Sequence, residues 1–296
     1  MRIQLISGFL GAGKTTMLKN ILKHESSDTA VLVNEFGEMG IDGTLISEGN
    51  NFNVVEMPSG CICCSLRESL VDAVREIMER YNPKTLIIEP SGIASPSSII
   101  LSIKKADFFD RIELAPVVGV IDLTFFVEVV RGGGIDEVGD FFRDQILNSD
   151  ITLLNKADLV VPADIEECRQ AVAELNPATL IIPAVYCQVE LPTVEANQQT
   201  THLHFTPRFN AESFEIPGQV NIDKVKSLLE EVKQKVYGEI FRAKGIIVTE
   251  IGPWNFDYVN GQINFGHLDK AEENKFVFIG RQVDRSRLES AIWGCV

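Results

Sequence analysis

The first residues with the types and spacing for chemistry form a glycine-rich segment near the start of the chain. Residues 8–15 read Gly-Phe-Leu-Gly-Ala-Gly-Lys-Thr and fit the pattern G-x-x-x-x-G-K-[ST]. In this pattern backbone N–H groups and a helix N-terminus surround the β-phosphate of a nucleotide. Lys14 then bridges the β- and γ-phosphates, and the Thr15 hydroxyl binds Mg²⁺. An apolar run at 3–7 and a helical pattern at 15–23 flank the segment, so the sequence predicts a phosphate-binding loop.

A carboxylate and a glycine follow another apolar run. Residues 86–92 read Leu-Ile-Ile-Glu-Pro-Ser-Gly. Glu89, at the end of a predicted strand, can hold Mg²⁺ or its water shell, and the N–H of Gly92 can contact a γ-phosphate. A strand that ends in Glu is common in proteins, so this motif is informative only together with the first.

A third motif indicates which base is bound. Residues 155–158 read Asn-Lys-Ala-Asp and follow an apolar run, which is the N-K-x-D arrangement that reads guanine. Asp158 accepts from the guanine N1–H and exocyclic amine, Asn155 contacts the N7/O6 edge, and the stem of Lys156 packs on the base. Adenine would leave Asp158 unpaired in a desolvated pocket, at a cost of about 1–3 kcal/mol. We therefore expect GTP rather than ATP.

Together the three motifs predict one site for GTP and Mg²⁺. The residues with a predicted catalytic role are Lys14, Thr15 and Glu89. The residues predicted to bind the cofactor are Gly8, Gly11, Ala12, Gly13, Lys14, Thr15, Thr16, Gly92, Asn155, Lys156 and Asp158.

Three thiols, Cys61, Cys63 and Cys64, lie within four positions before a predicted helix. A helix N-terminus favours thiolates, which bind soft cations such as Zn²⁺ or Cu(I). A closed structural zinc site takes four ligands, usually from two separated pairs, and the sequence has no second cysteine pair. The cluster therefore predicts a site that exchanges its metal, with packing cysteines or a redox pair as the alternatives.

Other candidate ligands are less specific. Glu35, Glu38 and Asp42 follow the second predicted strand, where they would bind Mg²⁺, position water or complete the thiolate site; a solvated acidic loop is the alternative. His202 and His204 would share one face of a strand, either as metal ligands or as exposed residues of an edge strand. The remaining cysteines are predicted to be structural or incidental: Cys168, Cys187 and Cys295.

Composition restricts the function classes. The chain has 296 residues, 45% of them hydrophobic, and a formal net charge of −15. This acidic balance, without a basic block, argues against a nucleic-acid partner. The most apolar stretch, 112–130, contains charged residues and a proline, so we expect no membrane association. The six cysteines are too few and too unevenly spread for a disulfide framework. The apolar N-terminal residues are not followed by the small-residue cleavage site of a secretory signal, so we expect a cytoplasmic protein.

The elements that must position these motifs alternate between strand and helix. Predicted strands lie at 3–7, 30–34, 54–57, 85–89, 117–122, 151–155 and 179–182. Helical patterns separate them, most clearly at 65–81. This order predicts an α/β fold over residues 1–205: a P-loop NTPase domain with a mostly parallel sheet and helices on both faces.

The pattern changes after residue 183. Residues 206–296 are predicted to form a small α+β domain with strands at 213–216, 240–250 and 275–280 and a helix at 222–237. The dipeptide Asn260-Gly261 predicts a hairpin turn. Ser286, with Glu289 three residues later, predicts the start of the final helix.

Five segments together resemble the CobW-like family of P-loop GTPases, relatives of the nickel chaperones for urease and hydrogenase. They are residues 8–16, 34–43, 60–66, 89–92 and 155–158, and residues 241–245 resemble a family segment of the C-terminal domain. The resemblance implies GTP binding and slow hydrolysis, with Zn²⁺, Co²⁺ or Ni²⁺ bound by Cys61, Cys63, Cys64 and Glu38.

The resemblance also implies delivery of the metal to a client metalloprotein or to an enzyme of the cobalamin pathway. We further expect a nucleotide- or metal-dependent homodimer. Many members carry a histidine-rich stretch. In this chain only His202 and His204 correspond to it, so high-capacity metal storage is not expected. No arginine finger is identifiable, and we expect unaided turnover on the order of 10⁻⁴–10⁻² s⁻¹. Two alternatives stay open: a GTPase with structural zinc that acts as an interaction module, and a small-molecule phosphotransferase.

Overall fold

The computed structural model describes residues 1–23, 28–33, 53–56, 66–132, 137–196, 209–271 and 273–296. The chain divides into two compact units, Met1–Pro207 and Arg208–Val296. Within the described residues, no helix combines the length and the apolar character needed to cross a membrane.

One parallel sheet organises the described part of the first unit. Its strands follow the order β3-β2-β4-β1-β6-β7-β8, and β5 pairs with β1. Every pairing is parallel, which confirms the predicted mostly parallel sheet. The strands are β1 (Arg2–Gly8), β2 (Thr29–Val33), β3 (Asn53–Glu56), β4 (Thr85–Glu89), β5 (Glu113–Leu114), β6 (Val118–Asp122), β7 (Ile151–Asn155) and β8 (Leu180–Pro183).

Helices cover both faces of this sheet. Successive residues of a strand point to opposite faces, so neighbouring residues of β4 pack against different helices. Ile87 of β4 belongs to a buried cluster with Met17 of the first helix. Its neighbours Leu86 and Ile88 belong to another cluster with Val74 of the second helix. The described helices are α1 (Lys14–Leu22), α2 (Leu66–Tyr81), α3 (Pro96–Lys104), α4 (Leu123–Arg131), α5 (Glu137–Leu147) and α6 (Pro162–Leu175).

Parallel pairing brings the carboxyl ends of neighbouring strands to one edge. Gly8, Glu89, Asp122 and Asn155 are the last residues of β1, β4, β6 and β7. β1 lies between β4 and β6, and Asp122 is in register with Asn155. Crevices at this edge are the usual ligand sites of open α/β sheets. The three predicted nucleotide motifs therefore start from the same edge of the sheet.

The second unit contains an antiparallel sheet and helices, which confirms the predicted α+β class. The strand order is β12-β11-β10-β13-β9. Asn260 and Gly261, with φ of 45° and 88°, connect β11 to β12 as the sequence predicts. The elements are β9 (Asn210–Ile216), α7 (Ile222–Lys233), β10 (Glu239–Thr249), β11 (Gly252–Val259), β12 (Gln262–His267), β13 (Asn274–Arg281) and α8 (Arg285–Trp293).

The predicted start of the final helix at Ser286 is wrong. Helix α8 begins at Arg285, and the carboxylate of Asp284 caps it by accepting a hydrogen bond from the N–H of Arg287 at 3.1 Å. Asp caps a helix as well as Ser does, and it stands two residues earlier. The predicted helix 222–237 also ends earlier, at Lys233, since Lys235 adopts a φ of 60°.

Asn274 generates a prediction for the stability of the second unit. It is fully buried, and its amide donates to Ile216 O at 3.0 Å and Gly218 O at 2.7 Å and accepts from Val248 N at 2.6 Å. Asn274→Ala leaves these groups unpaired, so we expect the free energy of unfolding to fall by about 2–4 kcal/mol in urea titrations. The exposed Asn264→Ala should change it by less than about 0.5 kcal/mol. Equal stability of the two variants would contradict this account.

Candidate nucleotide-phosphate site

The glycine-rich loop makes a tight turn between β1 and α1. Gly11 and Gly13 have φ of 75° and 107°, a region that favours glycine. A Cβ at Gly13 would also lie 2.6 Å from Asn155 Nδ2. Helix α1 starts at Lys14, whose buried ammonium donates to Phe9 O across the loop at 3.2 Å. The N-terminus of α1 and the ammonium of Lys14 therefore both lie at the glycine-rich loop, as a phosphate-binding site requires.

The two predicted Mg²⁺ ligands meet beside this loop. The Thr15 hydroxyl donates to Glu89 Oε1 at 2.7 Å, and Glu89 is only 5% exposed. A hydroxyl and a carboxylate are oxygen ligands of the kind that Mg²⁺ prefers. Their chemistry and their proximity fit a magnesium ion. Thr16 follows in the first turn of α1.

Gly92 lies directly against the phosphate loop. A Cβ at this position would be 2.8 Å from the backbone nitrogen of Leu10. The preceding residue, Ser91, is 6% exposed, and its hydroxyl has no hydrogen-bond partner among the described residues. The loop that follows β4 therefore packs closely on the loop that follows β1.

The N-K-x-D residues are arranged at the end of β7. Asn155 is buried and connects two segments, since its amide donates to Ala12 O at 2.8 Å and accepts from Cys187 N at 2.9 Å. Lys156 has a φ of 62°, and its ammonium lies 2.6 Å from Asp122 Oδ2. Asp158 is exposed in a short 3₁₀ helix. The base-reading roles of these residues stay predictions.

The segment after β8 contributes contacts that the sequence analysis missed. The Cys187 thiol donates to Gly13 O at 3.5 Å, and Asn20 of α1 donates to the carbonyls of Tyr186 and Cys187 at 3.0 Å each. Burial raises the pKa of the Cys187 thiol to about 12, so it stays protonated and packs beneath the loop. Its only signal in the sequence is its place just after a predicted strand.

The predicted thiolate site lies outside the described residues. This applies to Cys61, Cys63, Cys64 and Glu38, and also to Glu35, Asp42, His202 and His204. The described part of the chain holds no group of three or more His, Cys, Asp or Glu side chains able to bind a metal ion. Cys168 and Cys295 are buried free thiols, as expected of structural cysteines.

The fold and the loop define a P-loop nucleotide-binding protein with a second α+β domain. Residues 2–183 match the family model described as CobW/HypB/UreG, nucleotide-binding domain. Residues 209–296 match the model described as cobalamin synthesis protein CobW C-terminal domain. The chain therefore belongs to the CobW family.

Curated relatives share this organisation to different extents. The zinc chaperone CobW of Pseudomonas aeruginosa is 26% identical over 98% of this chain and 90% of its own length. A protein named zinc chaperone CobW from Sinorhizobium is 30% identical over 57% of this chain and 54% of its own length. Zinc-regulated GTPase metalloprotein activator 1 of Dictyostelium discoideum is 29% identical over 90% of this chain and 68% of its own length.

Two nearby serines yield opposite predictions. The buried hydroxyl of Ser91 lacks a partner in the described structure, whereas that of Ser95 donates to Asp144 at 2.7 Å and accepts from Ser98 N at 3.3 Å. We expect Ser91→Ala to leave the free energy of unfolding unchanged or to raise it by about 1 kcal/mol, and Ser95→Ala to lower it by about 1–2 kcal/mol. Chemical denaturation of the nucleotide-free protein checks both. Destabilisation by Ser91→Ala would show that its hydroxyl is bonded.

Proposed function

We propose that this protein is a slow GTPase that binds Zn²⁺, or a related ion such as Co²⁺ or Ni²⁺, and delivers it to a client metalloprotein. The first half of the proposal, that the protein binds and hydrolyses GTP (the nucleotide half), is supported best by the Thr15–Glu89 contact beside the buried Lys14. Membership of the CobW family, and relatives named as zinc chaperones and as a zinc-regulated GTPase, support the metal half.

The nucleotide half assigns a role to each group at the sheet edge. Lys14 neutralises the β- and γ-phosphates, and the N–H groups at the start of α1 hold the β-phosphate. Thr15 and Glu89 would hold Mg²⁺, which would supply positive charge to stabilise the phosphates. Asn155 connects the end of β7 to the phosphate loop and contacts the N7/O6 edge of guanine. Lys156 packs on the base, and Asp158 accepts from its N1–H and exocyclic amine. Water is the acceptor of the phosphoryl group.

The metal half assigns the cargo to Cys61, Cys63 and Cys64, with Glu38. The segments that carry these residues follow β2 and β3 in the sequence. β2 pairs with β4, the strand that ends in Glu89, and β3 pairs with β2. β2 and β3 therefore end at the edge of the sheet where the phosphate loop begins, which supports coupling between nucleotide and metal.

The coupling works as a switch. With GTP and Mg²⁺ bound, Cys61, Cys63 and Cys64 would hold Zn²⁺ tightly. Hydrolysis would remove the γ-phosphate and lower the affinity of the thiolates for the ion, which would then pass to the client. The proposal requires only that the two nucleotide states differ in their affinity for the cargo.

Lys14→Ala tests the nucleotide half. Loss of the ammonium removes charge stabilisation at the phosphates, so we expect GTP turnover to fall by about 100-fold or more in a phosphate-release assay. Lys23→Ala, at the exposed C-cap of the same helix, is the control and should retain turnover. Normal turnover by Lys14→Ala would refute the site. Phosphate release with water as the sole acceptor would exclude the phosphotransferase alternative.

A competitive Zn²⁺ titration with a chromogenic chelator tests the metal half. It is run with GTP–Mg²⁺, with GDP–Mg²⁺ and without nucleotide. We expect nucleotide to change Zn²⁺ affinity by about tenfold, equivalent to about 1.4 kcal/mol of coupling. The effect should vanish in the double variant Cys63→Ser/Cys64→Ser and persist in Cys168→Ala, which removes an unrelated buried thiol.

The other outcomes of this titration are equally informative. Tight Zn²⁺ binding that ignores nucleotide, together with unfolding on chelation, would favour the structural-zinc interaction module. Absence of specific binding would overturn the metal half and leave a GTPase without cargo.

A further inference from the structure

We propose that helix α5 positions both phosphate-contacting loops through two adjacent residues, Asp144 and Gln145. Gln145 fixes the start of the loop after β1, and Asp144 fixes the far end of the loop after β4. This inference rests on the proposed guanine-nucleotide site and assigns to it two positioning residues that no sequence motif indicates.

Gln145 contacts the phosphate loop at its first residues. The side chain is 1% exposed, and one end of its amide lies 2.7 and 3.0 Å from the backbone nitrogens of Gly8 and Phe9. Because both of these groups are N–H donors, we assign the amide oxygen to that end, where it accepts from both. The same amide lies 3.3 Å from Ser7 Oγ. Two N–H groups at the start of the loop are thus bound by the protein itself. The following residues then turn toward the phosphates from a fixed point.

Asp144 contacts the second loop. It is fully buried, and its Oδ2 accepts from Ser95 Oγ at 2.7 Å, while Oδ1 accepts from Asn148 Nδ2 at 3.1 Å. Ser95 is the N-cap of α3 and closes the loop that follows Glu89, the last residue of β4. Glu89 is held by strand pairing, so the contact with Asp144 fixes the other end of the segment that contains Gly92.

Aromatic packing connects the same helix to the phosphate loop a second time. The ring of Phe9 lies 5.2 Å from that of Phe141 and 5.7 Å from that of Phe142, measured between centroids. Both partners belong to α5. Phe125 of α4 stacks on Phe9 at 5.5 Å. The backbone and the side chain of Phe9 are therefore both held by α5, with α4 as a further support.

The two contacts should affect different phosphates. The loop after β1 surrounds the α- and β-phosphates, which GTP and GDP share, whereas Gly92 lies where a γ-phosphate is contacted. Loss of the Gln145 contact should weaken the binding of both nucleotides. Loss of the Asp144 contact should weaken GTP selectively. A purely structural role for α5 would not separate the two nucleotides.

The experiment measures equilibrium binding of GDP–Mg²⁺ and of a non-hydrolysable GTP analogue with Mg²⁺ to the full chain. We expect Gln145→Met to lower both affinities by about tenfold, because two buried N–H groups lose their acceptor and the loop shifts. We expect Asp144→Asn and the milder Ser95→Ala to lower the affinity for the GTP analogue by about tenfold and that for GDP by less than about twofold.

Ile146→Val is the matched control, since it removes one methyl group from a buried residue of the same helix and leaves both polar contacts intact. Its nucleotide affinities should equal those of the wild type. Equal losses for the two nucleotides in Ser95→Ala, or unchanged binding by Gln145→Met, would overturn the inference. A wild-type chain that binds neither nucleotide would instead refute the proposed function.

Discussion

Parallel pairing of the first-unit strands is the constraint on which the nucleotide site depends. It places the ends of β1, β4, β6 and β7 at one edge, and there the chain must leave the sheet through loops. Such loops need partners for their backbone N–H and C=O groups. At this edge the amide of Asn155 donates to Ala12 O, and the amide oxygen of Gln145 accepts from Gly8 N. The same side-chain hydrogen bonds to the loop backbone therefore stabilise the loops and set the shape of the site.

The sequence predicts most of this fold because the patterns that mark strands, helices and the phosphate loop each lie within a short stretch of residues. Strand and helix periodicity predict seven of the eight strands of the parallel sheet, with every end within one residue, and the glycine pattern predicts the phosphate loop. Thr15 and Glu89 are predicted as partners although 74 positions separate them, because each belongs to a motif with a known role. Family membership extends the prediction to the second domain.

The contacts that the sequence does not predict are long-range and lack a motif. Gln145 contacts Ser7 across 138 positions, and Cys187 contacts Gly13 across 174 positions. A glutamine inside a helical pattern and an isolated cysteine look ordinary until the sheet order is known. Asp284 shows a different difficulty, because Asp284 and Ser286 both suit the N-cap of α8 and residue type alone does not choose between them.

In the proposed guanine site, the ion pair between Lys156 and Asp122 would restrict the lysine that packs on the base. The ammonium is held 2.6 Å from a carboxylate that also caps α4 through Thr124 N. A free lysine side chain loses about 1.5–2 kcal/mol of rotamer entropy when it is immobilised. Here that loss occurs during folding, so the aliphatic stem presents a rigid surface before any nucleotide arrives. Base recognition in this protein would then begin from a preorganised lysine, and the same carboxylate would link that lysine to the first turn of α4.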